Sequence, residues 1–511
     1  MVFPIILSFV DNEIVATVGL FITATIFLIL GFLFNAFSER RTLSYKSSCG
    51  LIVLVFILLS LIGSLPYMYI NFSNGDVIQN ISDSVFESAS GFTTTGFSVM
   101  PNLSALPKSI IFYRALTQFI GGVGIVLVML SFFYPEAKLQ DFARGMGFSK
   151  DQKIKKTFLL IIITYCAYTA IMFILSLLLG YHDVVNAISF VFSAISTGGF
   201  APINDMTSVA TAFPMNAILV ITMIFGAANF FVIAGLFKGR LKSFIASETS
   251  VFLVMAVFAI GVAVIFFGLS TADAIFHIIS AMSTTGFSYL SVVNFSEGFK
   301  FFLIFLMLIG GASFSTAGGI KIYRFILMFK ASQKAVHESI TGKEFPVKLF
   351  GREYPNSAVN QAGVVVFLMV GIVFFSAFVV SSYGYPLVNA LFETTSAAAT
   401  TGLSTGIITP SLNVELKWLF VLLMILGRIE ILPVLIIFSK IKDQPSESKT
   451  KTTTMTGQAS ESNQVTKQFI CPSCGHLVTY KGRPGENLSI TCPSCGTKGK
   501  ITIQKTTQHD T

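Results

Sequence analysis

The stretch FESASGFTTTGFS, residues 86–98, interrupts an apolar chain with a short run of threonines and glycines, and that interruption returns three more times. Gly96, Gly199, Gly286 and Gly402 serve as reference points. Six residues before each stands a serine (Ser90, Ser193, Ser280, Ser396), and two before each a threonine (Thr94, Thr197, Thr284, Thr400). The residue after each is bulky and apolar: Phe97, Phe200, Phe287 and Leu403. Agreement at four places separated by 103, 87 and 116 residues marks four copies of one structural unit.

The surrounding composition places those units in a bilayer. Of 511 residues, 53% are hydrophobic and 12% charged, where a soluble domain carries about 25% charged residues. Nine stretches are nearly free of charge: 14–37, 49–70, 110–133, 157–180, 213–237, 251–269, 301–320, 362–382 and 418–439. Each approaches or exceeds the roughly 20 residues an apolar helix needs to cross the hydrocarbon core. The first is too long for a cleaved signal peptide and has no positive region before it. Lys and Arg collect in SERRTLSYK from Ser38, in 138–156, in KGRLK from Lys238 and in 321–348. These clusters fall at every second turn and assign those turns, and the C-terminal tail, to the cytoplasm. The turns around Asn74, Asp183, Thr271 and Tyr385 then face outside. Of the net charge of +9, the tail beyond residue 440 carries +4 and the membrane part +5. The +5 reads as topology signal, so nucleic acid is not an expected partner.

Each threonine-glycine run follows a spanning stretch, a polar turn and a segment of about a dozen residues too short to cross a membrane, and a second span follows it. The expected fold is an all-α polytopic membrane protein of four helix, re-entrant half-helix, helix repeats around one pore, preceded by one extra helix. The divisions are an N-terminal helix and loop (1–48), a four-repeat domain (49–440, with repeats at 49–134, 157–238, 250–330 and 358–440), a linker (441–466) and a small C-terminal domain (467–507). Residues 1–10 are too short to span. Non-helical backbone survives at membrane depth only when buried in protein or lining water. Loops ending half-helices can line a narrow wet path with carbonyl oxygens, glycine supplying the required backbone angles. A ring of four can replace the hydration shell of a monovalent cation, and inward half-helix C-termini add partial negative charge. The predicted ion-binding residues are Thr94, Thr95, Gly96, Thr197, Gly198, Gly199, Thr284, Thr285, Gly286, Thr400, Thr401 and Gly402. Small residues can also serve only close helix packing, which is the reading adopted for GGVG at Gly121; packing alone requires neither half-length segments nor threonine at a fixed offset.

With these loops in place, residues 49–439 resemble the Trk/Ktr/HKT superfamily of potassium transporters, and TrkH-like membrane subunits most closely. FYRALTQFIGGVGIVLVML from Phe112, LIGGASFSTAGGIKIYR from Leu308 and GRIEILPVLIIF from Gly427 carry the resemblance alongside the four loops. It implies a single-chain pseudo-tetramer assembled as a homodimer, with K+ as the transported ion. It also implies an intramembrane gating loop at residues 310–319, including Gly310, Gly311, Gly318 and Gly319; a glycine kink for packing is the alternative. By the same resemblance Arg428 projects into the pore as an electrostatic barrier, the alternative being an ion pair with an acid in the bundle. Lys321 contacts the pore mouth or marks the membrane edge. Glu87, Phe190, His277 and Glu393 share the position nine before the reference glycines. The glutamates either support the filter from behind, draw cations to its mouth or are buried hydrogen-bonded carboxyls, and His277 reads as structural. Glycine at 96 favours potassium, since serine there accompanies sodium permeation in some plant members. Two departures stand out: TrkH-like proteins commonly begin with two extra helices, and the fourth loop, ATTGLSTG, lacks the asparagine-rich character common in that group.

Beyond residue 440 the chain turns polar and reads as a flexible linker. CPSCG then occurs twice, placing Cys471 and Cys474 seventeen residues before Cys492 and Cys495. Two such knuckles in a segment too short for its own core fit a tetrahedral structural Zn2+ site in a zinc ribbon, and a cytoplasmic location argues against disulfides. The first functional expectation is potassium transport across the cell membrane through the four loops, gated by residues 310–319 and Arg428. No nucleotide-binding fingerprint occurs in the chain, so control falls, by resemblance, to cytoplasmic TrkA-like nucleotide-binding subunits, with membrane lipid as the other partner. The alternative is a membrane-anchored sensor signalling through its ribbon. No enzyme constellation is present in the sequence.

Overall fold

The computed structural model describes residues 1–37, 45–72, 76–133, 154–236, 239, 244–245, 247–342, 346–350, 352–438, 465–470, 477–482, 487–491 and 498–502. These divide into two units, Met1–Pro445 and Ser446–Thr511. The first is an all-α polytopic membrane fold. The described parts of the second are two antiparallel hairpins, Val465–Ile470 with Leu477–Gly482 and Asn487–Thr491 with Lys498–Thr502. Cys471, Cys474, Cys492 and Cys495 belong to the connecting stretches 471–476 and 492–497, which lie outside the described residues.

Among the described residues of the membrane unit six helices are long and apolar enough to cross a bilayer, or seven if a bent pair counts as one span. Their outward faces carry large apolar side chains such as Phe21, Phe32, Val257, Phe258, Phe367 and Phe378, all more than half exposed on the isolated chain. That arrangement suits a solvent of lipid tails. Four shorter helices, Val77–Phe92, Val184–Ile195, Thr271–Met282 and Leu387–Ala398, run between the spans. At 1.5 Å per residue, 12 residues reach only about 18 Å, short of the roughly 30 Å core. In contrast to the spans these helices are largely buried, and they converge on the threonine-glycine loops.

Two helices, not one, precede the repeats. A nine-residue helix, Val2–Val10, folds back on the span Ile14–Phe37, where the Thr17 hydroxyl donates to Ser8 Oγ at 2.9 Å. The Glu13 carboxylate between them accepts from the amides of Lys108 (2.6 Å) and Ser109 (3.1 Å). It thereby caps the span Lys108–Phe133, whose first amides lack intrahelical partners.

Apart from a slight interruption at residues 63–64 in the stretch 49–70, three of the nine expected spans are broken rather than continuous. The stretch 213–237 forms Met215–Ala227 and Phe230–Leu236, bent by 115°; the stretch 301–320 stops at Ile309; and the stretch 418–439 divides at Glu430, which has φ +67°. At the first break Asn229 Oδ1 accepts from the amides of Phe231 (2.9 Å) and Val232 (3.4 Å), acting as a cap inside the apolar run. The carbonyls freed there are not left bare. Gly226 O accepts from the Thr316 amide (3.1 Å) and hydroxyl (2.9 Å), and Ala227 O from the Ala312 amide (2.9 Å). The residue 310–319 loop thus supplies the hydrogen bonds that a helix broken at membrane depth requires.

Candidate functional site

All four short helices end in the same way. Thr94, Thr197, Thr284 and Thr400 take φ of +54°, +51°, +54° and +51°. The next amide then reaches back to the carbonyl of the conserved-offset serine: Thr95 to Ser90 (2.9 Å), Gly198 to Ser193 (2.8 Å), Thr285 to Ser280 (2.9 Å) and Thr401 to Ser396 (2.7 Å). This is a Schellman cap, whose left-handed position normally falls to glycine. A β-branched residue there costs about 1–2 kcal/mol, and its fourfold recurrence marks strain held at a site by its surroundings. The hydroxyls of Thr94 and Thr400 are buried without a hydrogen-bond partner.

The reference glycines close the four loops into a ring. A Cβ built on Gly96 would lie 2.2 Å from the Gly198 carbonyl oxygen, one on Gly199 2.0 Å from Thr285 O, one on Gly286 1.8 Å from Thr401 O and one on Gly402 2.0 Å from Thr95 O. Each loop therefore abuts the next in chain order, and the fourth returns to the first. These glycines also have φ between +78° and +90°. Glycine is required both for the backbone angle and for the close approach.

Behind three of the loops, a polar side chain at the position nine before the glycine ties down the segment that follows it. Glu87 accepts from Ser98 Oγ (3.0 Å), the Val99 amide (3.2 Å) and Arg114, whose Nε and Nη2 lie 2.9 and 2.6 Å from Oε1. His277 Nε2 accepts from the Leu290 amide at 3.4 Å. Glu393 Oε1 accepts from Ser404 Oγ (2.6 Å) and from the Thr405 (2.7 Å) and Ile407 (3.3 Å) amides. All three are fully buried. Both glutamates are buried, hydrogen-bonded carboxyls, Glu87 also in an ion pair with Arg114.

Beneath the ring lies the loop between Ile309 and Ile322. Its two glycine pairs meet as a neck: a Cβ on Gly310 would strike Gly318 O at 2.2 Å and Gly319 Cα at 2.9 Å, and one on Gly311 would strike the Ala317 Cβ at 2.5 Å. The loop touches three of the four threonine-glycine loops. The Gly318 amide donates to Thr284 Oγ1 (2.7 Å), Thr197 Oγ1 donates to Thr316 Oγ1 (3.3 Å), and a Cβ on Gly318 would lie 2.1 Å from Ala399 O and 2.3 Å from Thr400 Oγ1. Glu248 Oε2 holds the loop from the side by accepting from the Ser313 amide at 2.6 Å. Lys321, at φ +79°, donates from Nζ to Ala317 O and from its amide to Ile309 O.

Arg428 is buried in the last span. Its guanidinium makes no ion pair among the described residues; Nη1 donates to Thr316 O at 2.6 Å, and Nη2 to Gly121 O and Gly122 O at 2.9 and 3.4 Å. Arg428 therefore clamps the loop to the span of the first repeat. Close by, Glu430 accepts from Arg324 at 2.5 Å, tying the break in the last span to the helix Ile322–Thr341 that leaves the loop. A further buried pair, Lys417 with Asp83, joins the last span to the first short helix.

Sequence reasoning missed several of these groups. Thr316, Glu248 and Asn229 each sit in a single-residue context with no repeat to expose them. Arg114, which donates to Ala201 O at 3.1 Å, and Gln118, whose Nε2 donates to Gly198 O at 2.6 Å, are different, because the exception they serve was visible: Gly198 stands where Thr95, Thr285 and Thr401 stand in the other loops.

Among known proteins, the family profile TrkH, described as a cation transport protein, matches residues 17–265 and 246–450. An uncharacterized cation transporter of Methanocaldococcus jannaschii is 30% identical over 444 residues, covering 86% of this chain and 91% of its own. The Trk system potassium uptake protein TrkH of Escherichia coli is 25% identical over 432 residues, covering 78% of this chain and 86% of its own. The crystal structure of the potassium transporter TrkH from Vibrio parahaemolyticus superimposes with a TM-score of 0.70, at 22% identity, over 86% of this chain and 99% of that one.

Proposed function

Since the chain belongs to the TrkH family of cation transport proteins, we propose that it carries potassium across the cell membrane through the ring formed by Gly96, Gly199, Gly286, Gly402 and the residues that precede them. The observation that carries this reading is the cyclic abutment of each glycine on the next loop's carbonyl. It gathers four carbonyl-bearing turns, all held by strained caps and two of them by buried carboxylates, where a dehydrated monovalent cation needs fixed oxygens. The partnerless hydroxyls of Thr94 and Thr400 add two oxygens at the base of the same ring. The Escherichia coli and Vibrio relatives are named for potassium, and glycine at position 96 agrees with that ion.

The loop 310–319 acts as the gate, and Arg428 holds it shut. The loop's contacts with Thr197, Thr284 and Thr400 support this, as does a guanidinium whose partners are all carbonyls. Withdrawing Arg428 removes the bond that ties Thr316 O to the span of the first repeat. The protein works as a homodimer under cytoplasmic nucleotide-binding subunits of the TrkA type, and its tail lies in the cytoplasm. Cys471, Cys474, Cys492 and Cys495 hold a structural Zn2+ in that tail, supported by the two hairpins whose paired ends, Ile470 with Leu477 and Thr491 with Lys498, each bracket one Cys-x-x-Cys stretch.

Reconstitution into liposomes under an imposed inside-negative potential tests the transport reading. Potassium uptake exceeding sodium uptake is expected; equal uptake of both would remove the potassium assignment. Absence of flux, in the full chain and in the Arg428→Ala variant alike, would favour a sensor signalling through the tail.

A further inference from the structure

The second loop of the ring differs from the others in how it is supported. In loops one, three and four, Glu87, His277 and Glu393 receive an amide three or four residues past the reference glycine. In loop two that arrangement is chemically closed off: the helix position is Phe190, which accepts nothing, and the residue three past Gly199 is Pro202, which has no N–H to give. Loop two is also the one with glycine, Gly198, in place of threonine before the reference position. Gly198 has no positive φ, so its backbone does not require glycine.

The space explains both differences. A Cβ on Gly198 would fall 2.4 Å from Cδ, 2.5 Å from Oε1 and 2.8 Å from Nε2 of Gln118. Gln118 belongs to the span Lys108–Phe133 of the first repeat, is fully buried, and fills the place a threonine side chain takes in the other loops. Its Nε2 donates to Gly198 O at 2.6 Å and its Oε1 accepts from the Phe200 amide at 3.1 Å. Both hydrogen-bonding groups flanking Gly199 are thus fixed by one planar amide. Arg114, one turn earlier, donates to Ala201 O at 3.1 Å and stacks on the Phe200 ring at 4.1 Å. Gly121 and Gly122, one turn later, present the carbonyls that Arg428 clamps. One face of one helix therefore spans from the second loop to the gate.

We propose that Gln118 is a specificity-determining positioning residue, holding the Gly198 carbonyl in the ring from outside its own repeat. This inference rests on the transport reading. Because Gly198 O is the atom against which Gly96 packs, a loose Gly198 opens the joint between loops one and two. Because one amide fills two bonding roles and one volume, the residue and Gly198 act as an exchangeable pair with the threonine arrangement elsewhere.

The test measures potassium-to-sodium permeability ratio and total monovalent flux in liposomes, with melting temperature in detergent as the folding readout. Gln118→Glu keeps the acceptor for Phe200 but replaces the donor to Gly198 O with a second oxygen; it is expected to lower the ratio at least tenfold while flux persists. Gly198→Thr alone collides with Gln118 and is expected to lower the ratio similarly. Gln118→Ala combined with Gly198→Thr reproduces the packing of the other loops and is expected to recover most of the lost ratio. An unchanged ratio in folded Gln118→Glu, or a double variant no better than Gly198→Thr, would overturn the proposal. Should Gln118→Glu fail to fold, the double variant decides: folded and selective sustains the assignment, and any other result sinks it. A wild type that does not discriminate potassium from sodium would overturn the transport reading and this inference with it, whereas a selective wild type with indifferent variants overturns this inference alone.

Discussion

Replacing Gly286 by alanine puts the ring reading under its sharpest strain. The added methyl carbon would sit 1.8 Å from Thr401 O and 2.8 Å from the carbonyl carbon, against a floor of 3.0 Å for real contacts. The third and fourth loops must therefore separate by about 1.2 Å, and the obstacle is backbone, which cannot swing aside as a side chain can. Alanine must also hold φ near +85°, costing a further 1–2 kcal/mol or so. The displacement opens one joint in a closed ring, so carbonyl spacing changes on both sides of the fourth loop. A tenfold loss in discrimination corresponds to only about 1.4 kcal/mol. We therefore expect Gly286→Ala to reduce the potassium-to-sodium permeability ratio at least tenfold in liposome uptake. Gly124→Ala, a helical glycine with nothing within 4 Å of its added Cβ, should leave the ratio unchanged. Wild-type selectivity and melting temperature in Gly286→Ala would refute the argument, since they would mean that the carbonyl approach is not a constraint on the ring.

Removing the clamp at Arg428 with alanine deletes its donors to Thr316 O and Gly121 O. At roughly 1.5–3 kcal/mol per charge-assisted bond, basal flux should rise tenfold or more in the same assay, with ion preference intact. Gly318→Ala, whose Cβ would meet Ala399 O at 2.1 Å, should likewise unseat the loop and raise flux; a changed preference without changed flux would count against the gating role. Arg114→Met leaves the fully buried Glu87 without its cation and should cost about 3–5 kcal/mol, read as a lower melting temperature in detergent that Glu87→Gln partly restores when the two are combined. Full-length protein purified without chelators should contain one zinc per chain by elemental analysis, and Cys471→Ser with Cys492→Ser should abolish it.

Much of this was legible in the sequence because a repeat averages out local noise. Serine and threonine at fixed offsets pointed to four equivalent turns, and each serine carbonyl receives the amide that closes a cap. That threonine itself would take the left-handed angle was not legible, since β-branched residues avoid it and only tertiary confinement enforces it. Hydropathy located the spans but not their breaks: residues 213–237 read as one apolar run because Asn229, the single polar residue in it that caps a helix, weighs little against its neighbours. The partner that makes such a break tolerable, Thr316, lies 87 residues further on. Arg428 was recognisable as a charge in an apolar helix, yet its partners are carbonyls, which no side-chain pattern announces. The role of Gln118 was hidden for the opposite reason: its trace in the sequence is a missing side chain at 198 in another repeat.

A ring built from one chain also answers to mutation differently from a ring of four identical subunits. There a single codon change strikes every quadrant together, and any softening of the cage is imposed fourfold. Here Phe190, Pro202, Gly198 and Gln118 support one quadrant by a different arrangement from the buttresses of the other three. With each turn encoded at its own positions in one chain, the carbonyl cage can be altered a quarter at a time.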